Sequence, residues 1–104
     1  MISVTHFAAT APDFGERARA TLAALAARPG YLRGTLARST DSDDAWLLVT
    51  EWENVGSYRR ALGAYEVKLQ TPVLGAAMDL PTAFEPIVEI APGGAARTHD
   101  SDLA

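Results

Sequence analysis

The most constraining stretch of this chain is Ala45-Trp46-Leu47-Leu48-Val49-Thr50-Glu51-Trp52, which follows the acidic turn Asp41-Ser42-Asp43-Asp44. Five consecutive apolar residues behind a polar turn read as a strand. Because the run is continuous and does not alternate, both faces of that strand should be covered, as in the interior of a sheet. The rest of the chain must therefore supply a neighbour on each edge and a cover for the faces.

The neighbours are legible. Ile2, Val4 and His6 alternate with Ser3, Thr5 and Phe7, a β-branched pattern that predicts a strand over residues 2–8. Tyr31 to Ser39 predicts a second strand, joined to the apolar run by the acidic turn as a hairpin. Thr82 to Ile90 predicts a last one, with Phe84, Val88 and Ile90 on one face. Pro86 cannot donate a ladder hydrogen bond, so that strand belongs at an edge or carries a bulge.

Two helices supply the cover. Phe14, Ala18, Leu22 and Leu25 recur at helical spacing, opposite Glu16, Arg17 and Arg19. Thr10 or Asp13 would cap this helix, and Pro29-Gly30 ends it. Asn54 would cap a second helix through Tyr58, Leu62, Tyr65 and Leu69, interrupted at Pro72, with a short separate turn over 73–78. Residues 1–90 thus read as one β-α-β-β-α-β domain of ferredoxin-like type, an α+β fold with a four-stranded antiparallel sheet. Right-handed crossovers put the first and third strands in the middle. Residues 91–104, with Pro92-Gly93-Gly94 and no periodicity, read as a flexible C-terminal tail.

Two helices cover one sheet face only. The other carries either Trp46, Leu48 and Trp52 or Leu47 and Val49, and neither set suits water. The chain is therefore expected to pair with a second copy, sheet against sheet, as a homodimer. A formal net charge of −4 over 104 residues argues against a nucleic acid or an anionic membrane as partner. The chain has no cysteine, so thiolate chemistry is excluded. With no signal-like N-terminus and no membrane-spanning run, a cytoplasmic location is expected.

The segment Leu47-Leu48-Val49-Thr50-Glu51-Trp52-Glu53, then Tyr58-Arg59-Arg60-Ala61-Leu62, resembles the antibiotic biosynthesis monooxygenase family. Leu25 with Pro29-Gly30-Tyr31 fits the same pattern. The resemblance implies a dimeric α+β barrel. It further implies cofactor-free oxidation of phenolic, polyketide-like aromatics by molecular oxygen, without metal or flavin. In such enzymes the substrate lies between helices and sheet, beside a strand-end Trp and a Tyr six residues later, here Trp52 and Tyr58. The family's Asn four positions before that Trp is Leu48 in this chain. The haem-degrading branch would require a Trp and a His where this chain has Ala61 and about Thr71, so haem breakdown is not expected.

The expected site is therefore Tyr58 and His6 as catalytic groups, with Trp52, Leu48, Tyr65 and Phe84 binding a small apolar or aromatic substrate. No cofactor or metal is expected. Each residue also has a plainer reading. A single His on an apolar strand can be a hydrogen-bonded structural residue, and a strand-end Trp can be core. Tyr58 and Tyr65, seven residues apart, share a helix face that can point inwards or outwards. Asp41, Asp43 and Asp44 lack the spacing and the closing Glu of a calcium loop. The competing function is a non-catalytic dimeric module that binds a small molecule or aids a biosynthetic partner.

Overall fold

The computed structural model describes residues 1–100. Strand β1 runs Ile2–Ala8, helix α1 Phe14–Ala26, strand β2 Tyr31–Arg38 and strand β3 Ala45–Trp52. Three short helices follow: α2 Val55–Leu62, α3 Tyr65–Lys68 and α4 Thr71–Leu74. Strand β4 is Ala83–Phe84, and strands β5 Val88–Ile90 and β6 Ala96–Thr98 close the described chain.

The main sheet has the order β2-β3-β1-β4, antiparallel throughout. The apolar strand β3 is central and the proline-bearing segment leads from an edge, as the sequence requires. The question of which set of β3 side chains faces the helices is settled by register. Ser3 opposes Thr50, Thr5 opposes Leu48 and Phe7 opposes Trp46. Ser3, Thr5, Phe7, Leu48, Thr50 and Trp52 are buried, and one core joins Phe7, Leu48 and Trp52 to Phe14, Tyr58, Val67 and Val73 from all four helices. Alternation then puts Ile2, Val4, His6, Leu47 and Val49 on the second face, where they are half-buried.

Helix α1 seats Phe14, Ala18, Thr21 and Leu25 in the core. Thr21 is fully buried where Leu22 is only half-buried, and its hydroxyl donates to Gln70 Oε1 at 2.9 Å. Asp13 is the N-cap residue, but its side chain makes no cap bond. It pairs instead with Arg17 one turn on, at 3.8 Å. After α1 the chain turns at Gly30, φ 87°, where an added Cβ would lie 2.4 Å from Ser57. Only glycine satisfies both the positive φ and this approach.

The single long second helix expected from Tyr58, Leu62, Tyr65 and Leu69 is three pieces. Gly63 ends α2 and Ala64 is extended at ψ 144°, so the heptad spacing of the tyrosines does not lie along one helix. Pro72 falls in the first turn of α4, where its missing N–H is not needed.

The last strand also differs from expectation. Only Ala83–Phe84 joins the main sheet, opposite Ile2 and Ser3. The chain then leaves at Glu85-Pro86-Ile87, and Val88–Ile90 pairs with Ala96–Thr98 in a separate two-stranded hairpin. Part of the segment read as a tail is thus a strand, turned at Gly93 and Gly94, both with positive φ. Residues 101–104 of that segment lie outside the described residues.

Candidate functional site

At the C-terminal end of β3 three aromatic rings meet. Trp52 packs edge-on against Tyr31, centroids 5.5 Å apart, and tilted against Tyr58 at 5.8 Å. Each ring is placed by a different local rule. Hairpin register sets Tyr31 opposite Trp52. Strand alternation turns Trp52 towards the helices. The Asn54 cap, whose side-chain oxygen accepts from Ser57 N–H at 2.8 Å, starts α2 so that its first turn carries Tyr58 inwards.

The indole is also held through its nitrogen. Trp52 Nε1–H donates to Thr50 Oγ1 at 2.7 Å, and Thr50 is hydrogen-bonded in turn to Ser3 on β1. Thr50 is fully buried, so this short chain of hydroxyls fixes the ring's angle from beneath. The Tyr58 hydroxyl makes a long contact, donating to Thr82 Oγ1 at 3.5 Å. Trp52 is 1% exposed, Leu48 2% and Tyr58 7%. The combination is a closed aromatic cluster with one phenolic hydroxyl loosely engaged at its edge.

The other expected site residues lie elsewhere. His6 is on the opposite sheet face, because even-numbered positions of β1 point away from the helices. Tyr65 is 70% exposed, since the break at Gly63 and Ala64 turns α3 away from α2. Phe84 is 46% exposed and lines a groove of about 390 Å3 with Met1, Asn54, Val55, Arg59 and Pro86. A second recess of about 370 Å3 at the far end of the sheet is lined by His6, Phe7, Arg38, Trp46, Leu47 and Met78, among others. Trp52 and Tyr58 line neither. The sequence pattern gives Tyr31, Thr50 and Ser3 no site role: their places come from cross-strand register, which no single segment displays. Among the described residues, no three His, Cys, Asp or Glu side chains come together as a metal site. No helix among the described residues is long and apolar enough to cross a membrane. On the bare face, the Glu51 carboxylate bonded to Arg33 raises the guanidinium above its ordinary value.

The chain is a ferredoxin-like α+β domain with Trp52 tilted against Tyr58 beneath its helices. The sequence model described as antibiotic biosynthesis monooxygenase matches residues 1–68, and the chain belongs to that family. Among solved structures, it is similar to a variant of SnoaB, a cofactor-independent oxygenase from Streptomyces nogalater. The identity there is 28%, with 74% of this chain and 82% of that one covered and a TM-score of 0.66. A second SnoaB structure matches at 23% identity over 98% of this chain and 93% of that one, TM-score 0.65. A putative antibiotic biosynthesis monooxygenase from Deinococcus radiodurans shares the fold at 20% identity, with 86% and 95% covered and a TM-score of 0.65. A search of curated proteins finds no match.

Proposed function

We propose that the protein is a cofactor-independent monooxygenase that oxidises a small aromatic or polyketide-like substrate with O2, acting as a homodimer in the cytoplasm. The observation that carries this reading is the stack of Trp52 on Tyr58, clamped from below by Thr50 and Ser3. The 28% identity to SnoaB supports it. A substrate with an acidic ring CH2 beside a phenol loses a proton to give a delocalised anion. That anion passes one electron to O2, the radicals combine as a hydroperoxide, and loss of water leaves a carbonyl. The sum is CH2 + O2 → C=O + H2O, with no external reductant. Trp52 is 1% exposed, so a substrate reaches it only when the helices part; the chain then holds a flat ring against Trp52 and offers the Tyr58 hydroxyl for proton transfer at the substrate oxygen. His6 faces the other side of the sheet and has no part in that step.

Oxygen uptake by chelator-treated protein on a panel of anthrones tests the reading. Acceleration over buffer is expected, and Tyr58→Phe should slow it by about a hundredfold, the usual scale of a positioned proton donor. An unchanged rate in Tyr58→Phe removes that residue from the mechanism. The second reading, a non-catalytic binding module, is favoured by the near-complete burial of Trp52, Leu48 and Tyr58. A panel without any acceleration would select it.

The homodimer rests on the apolar second face. Ile2, Val4, Leu47 and Val49 lie side by side there, Val4 directly opposite Val49. Covering several such side chains contributes several kcal/mol at ~25 cal/mol per Å2. Light scattering should give twice the 11.0 kDa chain mass. A monomeric mass at micromolar concentration would remove the dimer.

A further inference from the structure

The recess at the far end of the sheet has a composition of its own. Trp46, from which β3 sets out, stands about 20 Å from Trp52, given six residues of extended chain at about 3.3 Å each. It packs on Phe14 with centroids 5.4 Å apart, and Phe14 on Phe7 at 5.2 Å. The Arg38 guanidinium lies over the Trp46 ring at 5.4 Å from its centroid. Stacking uses the face of a guanidinium and leaves its in-plane N–H donors free. Among the described residues the Arg38 side chain has no hydrogen bond and no ion pair. Trp46 Nε1 is buried with no hydrogen-bond partner, a rarity in native folds that calls for an acceptor. The lining holds His6, Ser39 and Thr40 besides Arg38, and not one carboxylate.

These features belong together. The walls from Phe7, Trp46, Leu47 and Met78 are apolar, and the polar groups are a fixed cation, an imidazole and two hydroxyls. At about 370 Å3 the recess is within the range of small-molecule sites. We propose that this recess binds a small aromatic carboxylate, its ring against Trp46 and Met78 and its carboxylate on Arg38. The site is separate from the Trp52–Tyr58 stack, and the proposal does not rest on the oxidation chemistry.

Calorimetric titration of the full chain with 2-naphthoate tests it, with neutral 2-naphthylmethanol as the uncharged counterpart. Saturable binding of one naphthoate per chain is expected, about tenfold tighter than the alcohol. Arg38→Met should weaken naphthoate about tenfold and leave the alcohol unchanged; Arg38 is exposed, so the fold does not depend on it. Arg59→Met, in the other groove, should bind as tightly as the parent protein. The proposal is overturned by absence of saturable binding, by an Arg38→Met affinity equal to the parent's, or by a loss confined to Arg59→Met.

Discussion

Replacing Thr50 by Val keeps the shape of the side chain and removes one hydroxyl, so it isolates the bonds beneath the aromatic stack. Thr50 is fully buried and bonded on two sides, to Trp52 Nε1 at 2.7 Å and to Ser3 Oγ. The variant leaves two buried polar groups without partners. Each costs about 1–3 kcal/mol when water cannot reach it, so the loss should total about 2–6 kcal/mol. At about 4–8 °C per kcal/mol for a domain of this size, Tm should fall by at least about 8 °C. Urea unfolding followed by tryptophan fluorescence, at one fixed protein concentration because association feeds into apparent stability, measures it. Ser3→Ala added to Thr50→Val should cost less than the sum of the two single changes, because it removes one of the stranded groups. Thr50→Ser, which keeps the hydroxyl, should recover most of the loss. A Thr50→Val protein within about 0.5 kcal/mol of the parent would refute the idea that these hydroxyls hold the indole.

Other perturbations follow from the same structure. Asn54→Ala removes the α2 cap and should cost about 1 kcal/mol in the same unfolding assay, with α2 amides the first to lose exchange protection. Gly30→Ala meets both a positive φ and a 2.4 Å approach to Ser57, and should cost about 2–4 kcal/mol; a neutral result would mean the turn can relax. Tyr65→Ala, at a side chain 70% exposed, should stay within about 0.5 kcal/mol and leave oxygen uptake unaltered.

How far the chain could be read in advance follows from the range of each signal. The central strand announced itself because five apolar residues in a row need cover from both sides, and the sheet order followed from handedness alone. The Asn54 cap and the Pro29-Gly30 stop were equally plain, since each acts within four residues. The break at Gly63 was hidden by the regular spacing of Tyr58, Leu62, Tyr65 and Leu69, which a continuous helix would also produce. Its cause is the extended backbone at Ala64, a conformation that alanine does not advertise. The hairpin of β5 and β6 was hidden by its length, three residues a strand being too few to show alternation. At the candidate site, Trp52 and Tyr58 stand where the family resemblance implies a strand-end Trp and a Tyr six residues on, whereas the bonds of Thr50 and Ser3 beneath them need the register of β1 on β3. That His6 lies on the face away from the helices is hidden for a related reason: a strand pattern fixes which residues share a face, and only the packed helices decide which face is inside.

The order β2-β3-β1-β4 has a consequence for how the molecule comes into being. The β2–β3 hairpin closes over six intervening residues, 39–44, and can form early. The N-terminal strand must instead close a loop of 36 residues, 9–44, to reach β3, a step that costs more chain entropy. During synthesis the strand made first is thus held in waiting until β3 has emerged, with Ile2, Val4 and Phe7 still in water. Refolding rates should accordingly respond to changes in β1, whose docking is the costly step, as well as to changes in the hairpin it docks on, and a chain cut short before Ala45 has nothing to fold onto.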